Sequence, residues 1–261
     1  DWVFLIGEQF TYQENCMGRP RLPDGQRSAG HQVWLSPEDV VYLRDRYGVT
    51  HVRFPDDMFT TNKSWVLEMS CRLGNEGFTW VALSRTDTLD DDMAEAMTAG
   101  GCKGLFFGIE SGSRRILKLM NKKTTPELNL EAIERCRKFN IISSCYFIFG
   151  FPGEDAESVS QTVSWLERAK PDRAHYSTFL PIHGTEPFRN PDKYAICIHP
   201  GYRNWHYYVD DLDEDFPVEY LPPNPPNDEM KALRQQFEGA FVRLGYKRWK
   251  EAGSIKYPEP V

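Results

Sequence analysis

The sequence predicts an α/β fold, a partial (β/α)6 barrel followed by an extension. Two observations predict it. Six apolar runs of strand length, at 2–6, 51–54, 78–83, 104–109, 144–149 and 173–179, alternate with helical patterns. The turns after the second to fifth runs carry glycines or charged residues, as strand ends that share one rim of a barrel do. Strands separated by helices imply right-handed βαβ units and a parallel sheet. An open doubly wound sheet is the alternative, and the motifs at the strand ends favour the barrel.

The first strand is Trp2-Val3-Phe4-Leu5-Ile6. A domain seldom opens on a core strand with no lead-in, so the sequence reads as part of a longer protein. The first helix starts at Ser36-Pro37-Glu38-Asp39, which combines a Ser N-cap, Pro at the first position and acids in the first turn. It runs to about Tyr47, with Gly48 as its stop. Further helices are expected near 62–75, 90–99, 126–139 and 156–169, and Gly100-Gly101 and Asn140 stand where C-caps belong. After residue 180 the alternation breaks. Proline is dense at 221–226 and acid at 210–215, so 181–226 reads as irregular. A last helix is expected over 228–244, with Met230, Leu233, Phe237, Phe241 and Leu244 facing the barrel. The boundaries are therefore a barrel at 1–180 and an irregular, Pro-rich extension at 181–261 that ends in a helix.

Composition bounds the function. The chain is 40% hydrophobic and 26% charged, as soluble globular domains are. A net charge of −7 without a Lys/Arg-rich run argues against nucleic acid as the main partner. No apolar run reaches the roughly 18 residues that span a bilayer. No basic segment followed by an apolar core opens the sequence, so no membrane association is expected. Cysteines stand at 16, 71, 102, 136, 145 and 197 without paired spacing, which points to a reducing cytoplasm rather than a disulfide framework. Cys71, Cys102, Cys136 and Cys145 fall in helices or strands and read as small buried hydrophobes. His175, His183, His199 and His206 match no metal-ligand spacing. The aromatic stretch from Tyr202 to Tyr208 reads as packing for the extension.

Four segments fall at the carboxyl ends of predicted strands: Phe54-Pro55-Asp56-Asp57-Met58-Phe59-Thr60, Ser84-Arg85-Thr86-Asp87, Phe107-Gly108-Ile109-Glu110-Ser111-Gly112-Ser113, and Phe149-Gly150-Phe151-Pro152-Gly153-Glu154. Any one of them alone is a turn, with glycine supplying unusual backbone angles and Asp or Ser capping the next helix. Four in order on one rim are harder to reduce to turns. Carboxylates such as Asp56, Asp57 and Glu110 are costly at a barrel mouth unless a ligand or partner compensates them.

Together FPDDMFT, RTDTLD, AGGCKGLFFGIESGSRRILKLMNKKTT and YFIFGFPGEDAES resemble radical S-adenosylmethionine (SAM) proteins, above all the group that carries an N-terminal cobalamin-binding domain. The resemblance covers about residues 2–188. It implies a TIM-like partial barrel of the radical SAM type with SAM across its mouth. By that resemblance Asp56 and Asp57 take the methionine amino group and Arg85 lies near the carboxylate. Glu110 and Ser111 meet the methionyl or ribosyl part, and Gly150, Pro152 and Gly153 pass the adenine. The chemistry suits these roles: an ammonium seeks carboxylates, a carboxylate seeks a guanidinium, and glycine lets backbone approach a flat base. It also implies cobalamin, held by an upstream domain that this sequence does not contain.

One departure is specific. The family places CxxxCxxC after the first strand, where three thiolates hold a 4Fe–4S cluster. Here the spacing is kept, but the residues are Gln9, Gln13 and Cys16, and Asn15 replaces the usual aromatic. Amides are hard, neutral donors, and one thiolate cannot hold such a cluster. Three readings follow: a SAM-binding protein of the family with an impaired cluster site, a non-catalytic barrel kept as a scaffold, or a fragment or altered version of an active enzyme. The substrate, a small molecule or a peptide, is not legible.

Overall fold

The structure, a computed structural model, describes residues 2–4, 37–54, 59–199 and 216–246. Six strands form one sheet: β1 Trp2–Phe4, β2 His51–Phe54, β3 Thr79–Ser84, β4 Cys102–Glu110, β5 Ile142–Phe149 and β6 Arg173–Thr178, in that order across the sheet. The β1/β2, β2/β3 and β5/β6 pairs are parallel. The helices between them are α1 Pro37–Tyr47, α2 Lys63–Asn75, α3 Asp91–Ala99, α4 Arg114–Leu119, α5 Pro126–Lys138 and α6 Ala156–Ala169. The strand–helix alternation expected from the sequence is therefore present. Only α4 was not anticipated: at six residues it is too short to show a helical period. The proposed Ser36 cap lies outside the described residues.

Local chemistry sets the helix ends. Asn62 accepts the Trp65 N–H at 3.2 Å and Asp90 accepts the Met93 N–H at 2.9 Å. Asp155 and Ser158 form a reciprocal capping box at the start of α6. Gly48 (φ 68°) and Asn140 (φ 56°) adopt the left-handed conformation that stops a helix.

The chain forms two compact units: residues 1–105 with 139–141, and residues 106–138 with 142–261. In the first, Phe54, Phe59 and Trp80 make a ring cluster with centroids 4.9–5.8 Å apart, and Trp80 Nε1 donates to the Gly100 carbonyl at 2.7 Å. Helices α2 and α3 approach closely because Gly74 and Gly100 lack side chains; a Cβ on Gly74 would sit 2.9 Å from Gly100 Cα. Cys71 on α2 is exposed, whereas Cys102, Cys136 and Cys145 are buried. The burial expected of Cys71 is thus corrected: it lies on the outer face of the helix, while Val66, Met69 and Leu73 supply the buried face.

In the second unit β5 alternates. Phe147 and Phe149 face helices, Phe147 touching Trp165 of α6. The last helix, α8 (Asn227–Arg243), lays Phe237 on Phe149 at 5.4 Å and Phe241 on Phe147 at 5.7 Å. Met230, Leu233, Phe237 and Phe241 are buried as expected, whereas Leu244 is the C-cap and half-buried. On the opposite face of the sheet Phe106, Tyr146 and His175 stack across β4, β5 and β6 at 6.2 and 5.5 Å.

The extension is more ordered than the sequence suggested. It contains α7 (Glu186–Arg189), a 3₁₀ turn at Pro191–Tyr194 and an antiparallel pair, β7 (Ile196–Ile198) with β8 (Val218–Tyr220). Two three-residue strands far apart in sequence have no periodicity to read, and their pairing is a tertiary event. Among the described residues no helix is long and apolar enough to cross a membrane.

Two glycines test this packing in opposite directions. A Cβ on Gly112 would lie 2.6 Å from Thr162 Cα and 2.7 Å from Trp165 Cβ, whereas one on Gly239, on the exposed face of α8, would meet nothing within 4 Å. Gly112→Ala is expected to lower unfolding free energy by about 1–3 kcal/mol. Gly239→Ala is expected to raise it by about 0.4–1 kcal/mol. Denaturant midpoints of the two variants check both signs.

Candidate functional site

The strand ends hold the candidate residues, and each turn is built differently. Gln9, Gln13, Cys16, Asp56 and Asp57 lie outside the described residues. Arg85, in the first unit just past β3, is half-buried. Its Nε and Nη2 grip Asp87 at 2.9 and 2.6 Å, a bidentate pair that holds its pKa above the usual guanidinium value. Thr60 Oγ1 bonds Ser84 at 3.0 Å and Thr88 at 2.6 Å beneath it. The guanidinium is thus pre-oriented, with its fork occupied by an acid of its own turn.

In the second unit β4 ends on Glu110, whose φ is +63°. Ser111 N–H donates to the Ile109 carbonyl at 2.8 Å, closing a three-residue turn around it. Positive φ is uncommon for a non-glycine residue, and such turns are strained. The Glu110 carboxylate pairs with Lys122 Nζ at 2.8 Å, their side chains 18% and 33% exposed. Gly108 makes room for the pair: a Cβ there would be 3.0 Å from Lys122 Nζ and would strike Glu110 Oε1. Ser111 turns inward instead. Its hydroxyl contacts Thr162 Oγ1 at 3.2 Å and accepts the Ser113 N–H at 3.1 Å. Gly112 N–H donates to the same Thr162 at 3.0 Å. Of this turn, Glu110 and not Ser111 presents its polar group to solvent.

The turn after β5 is closed by its own acid. Gly150 N–H donates to Glu154 Oε2 at 2.5 Å, and Glu154 N–H donates to the Phe151 carbonyl at 2.9 Å. Tyr220 Oη donates to the Gly150 carbonyl. Gly153 N–H donates to Asn224 Oδ1 at 2.6 Å, and the Gly153 carbonyl accepts from Arg115 Nη1 at 2.5 Å. Gly150 (φ 79°) and Gly153 (φ 95°) need glycine's freedom here. Pro152 is buried between them, and Phe151 packs on Phe179 and Tyr194.

Sequence reasoning missed four contributors. Lys122 belongs to a Lys-Lys pair that carries no site signal of its own. Glu154 reads as part of a turn motif, yet it is 2% exposed. Tyr220 and Asn224 lie in the stretch read as irregular. Only folding brings them to the turn.

Burial dominates the electrostatics. It pushes the Glu154 carboxyl up to about 8, against the opposing pull of the Gly150 N–H. It also raises the Tyr220 phenol, with Glu154 adding to the effect, and lowers the His175 imidazole. The Cys136 thiol is raised to about 12 and Cys145 rises as well, so neither is a ready thiolate. Among the described residues no group of three or more His, Cys, Asp or Glu side chains could hold a metal ion. Where the resemblance places cluster ligands, residues 9, 13 and 16 offer two amides and one thiol, a donor set that does not match three thiolates.

A profile of the radical SAM superfamily matches residues 16–166, beginning at Cys16. An uncharacterized methyltransferase of Pyrococcus horikoshii is 37% identical over 178 residues, covering 67% of this chain and 38% of that protein. Cytidylyl-2-hydroxyethylphosphonate methyltransferase of Streptomyces wedmorensis is 28% identical, covering 68% of this chain and 34% of that protein. The chain thus spans little more than a third of the length of these relatives. Among solved structures, the radical SAM methyltransferase TsrM from Kitasatospora setae, with cobalamin and a 4Fe–4S cluster bound, superposes with a TM-score of 0.53 at 15% identity, over 75% of this chain and 39% of that one. Coproporphyrinogen III oxidase from Escherichia coli gives 0.54 at 14% identity, over 76% of this chain and 41% of that one. Both superpositions agree on the fold, a parallel sheet of the partial-barrel type.

The Glu154 carboxyl makes a pH prediction. Its folded pKa of about 8 stands above the ordinary 4.5, so the folded chain keeps a proton that the unfolded chain has lost. The stability it contributes is full below about 4.5 and is lost as pH rises through about 8. Wild type should therefore lose stability relative to Glu154→Gln across that window, with a slope approaching about 1.4 kcal/mol per pH unit. Chemical denaturation of both proteins from pH 5 to 9 checks this; a difference that does not change with pH would exclude Glu154 as its source.

Proposed function

The chain belongs to the radical SAM superfamily, and from that premise we propose that it binds SAM at the carboxyl ends of its parallel strands, with the family's redox chemistry lost or impaired. The two relatives described above are methyltransferases by name, and the lineage proposed is the cobalamin-assisted one, with cobalamin held by a domain outside this sequence. The observation that carries SAM binding is the end of β4. A non-glycine residue, Glu110, is held at positive φ beside Lys122, over a glycine that leaves space for both. Strain of this kind costs about 1–3 kcal/mol and tends to persist where a ligand is handled.

On this reading Asp56 and Asp57 receive the methionine ammonium. Arg85 exchanges Asp87 for the methionine carboxylate, for which its fork is already oriented. Glu110 accepts from the ribose or the methionyl amine, and Lys122 adds a positive charge for the carboxylate. Ser111 supports that turn through Thr162. Gly150, Pro152 and Gly153 give the adenine a rigid surface. SAM supplies an activated methyl group or, in the family at large, the adenosyl fragment. These residues bind and orient it. No step is routed through an iron–sulfur cluster, because Gln9 and Gln13 offer neutral amide oxygens where thiolates are needed.

The same glutamines favour a second reading: a non-catalytic barrel retained as a scaffold. Calorimetry separates the two. SAM should bind with micromolar to millimolar affinity, roughly −8 to −4 kcal/mol, because the iron anchor is absent. Glu110→Ala should weaken it by about 1–3 kcal/mol. Gln9→Cys with Gln13→Cys should restore both iron–sulfur absorbance after anaerobic reconstitution and tighter SAM binding, and either change alone should restore little. Absence of SAM binding even in the doubly restored protein would leave the scaffold reading standing.

A further inference from the structure

Resting on that reading, we infer that the segment 218–224 of the C-terminal extension is a latch that positions the ligand-binding turn after β5, with Tyr220 and Asn224 as its two positioning residues. The turn contains two left-handed glycines, at φ 79° and 95°. A stretch with that much backbone freedom carries a large entropic cost when it is ordered against a ligand. Here it is ordered in advance, and two of its restraints come from one distant segment.

Tyr220 is 4% exposed, and its hydroxyl donates to the Gly150 carbonyl. A Cβ on Gly150 would stand 2.9 Å from Tyr220 Oη and 3.6 Å from Met230 Cε, so glycine and phenol fit each other as a pair. Asn224 is 8% exposed, and three of its hydrogen bonds are made at once. Its Oδ1 accepts the Gly153 N–H at 2.6 Å, and its Nδ2 donates to the Tyr194 and Ala195 carbonyls at 2.9 and 2.8 Å. The two donated bonds fix the amide's orientation: flipped, it would set a donor against the Gly153 N–H. Replacing Asn224 therefore releases Gly153 and removes one donor each from the Tyr194 and Ala195 carbonyls, the latter keeping the Leu221 N–H at 2.8 Å.

The latch is rooted in the strand whose end it holds. Tyr220 N–H donates to Asn227 Oδ1 at 2.9 Å, and Asn227 Nδ2 returns a bond to the Val218 carbonyl at 2.9 Å. Asn227 opens α8, whose Phe237 and Phe241 pack on Phe149 and Phe147 of β5. Latch, helix and turn thus share one packed base. Glu154 and Arg115 complete the restraint from the turn's own side, and the Arg115–Asp155 pair at 2.6 Å secures Arg115. Both polar groups of Gly150 and both of Gly153 are thereby held by side chains.

The test uses the full chain as wild type, Tyr220→Phe and Asn224→Ala, each at a temperature where it is folded. Titration with SAM and with S-adenosylhomocysteine should give dissociation constants about three- to tenfold higher for each variant, the effect of one positioned hydrogen bond. Hydrogen exchange should be faster at residues 150–154 in both variants but unchanged at the amides of β5 and α8. Added SAM should slow exchange at 150–154 in wild type. Tyr220→Phe keeps the ring packing, so its result decides the matter if Asn224→Ala fails to fold. Variants that bind both ligands as wild type does overturn the latch and leave the SAM site standing. A wild type that binds neither ligand overturns the SAM reading and the latch with it.

Discussion

A buried carboxyl that closes a five-residue turn is the constraint around which the second unit is arranged. Glu154 binds the Gly150 N–H in an environment dry enough to push its pKa to about 8. A carboxyl is tolerated there because it is hydrogen-bonded and can hold its proton. The turn is thereby fixed, Phe151 is directed onto Phe179 and Tyr194, and both glycines present their polar groups to side chains from elsewhere. The extension docks where it does because that turn offers a carbonyl for Tyr220 and an N–H for Asn224.

The end of β4 shows the complementary solution. There the acid is only partly buried, its side chain 18% exposed. A three-residue turn lifts Glu110 to positive φ, Lys122 balances its charge, and the absence of a side chain at Gly108 makes space for both. Two positions on, Gly112 lets α6 approach, and Thr162 collects Ser111 and Gly112 into a buried network. One short motif therefore divides its labour between a polar group left accessible and two residues that carry packing.

The departure from the family is local. Residues 9 and 13, where the resemblance places thiolates, are glutamines, yet the turns after β3, β4 and β5 keep charged groups and glycines with defined partners. On the proposed reading, the exchange at residues 9 and 13 bears on redox chemistry and leaves the strand-end contacts to a ligand in place.

How much of this was legible follows from the range of the interactions. Strand runs, the helix starts near residues 90 and 156, and the C-cap at Asn140 were readable because each depends on residues within a few positions. The strand-end motifs and the exchange of cysteine for glutamine were readable for the same reason: they are spacings along the chain. Nothing local indicates that Ser111 turns inward, that Lys122 meets Glu110, or that Cys71 lies on an outer helix face. The sequence by itself determined the alternating α/β order, the position of the candidate turns and the chemical identity of the cluster positions. The tertiary structure alone decided the β7–β8 pair and the meeting of Tyr220 and Asn224 with Gly150 and Gly153. The Tyr220 and Asn224 contacts join residues 70 and 71 positions apart, and such pairing is selected by packing and hydrogen-bond satisfaction in the folded chain, which leave no period in the sequence.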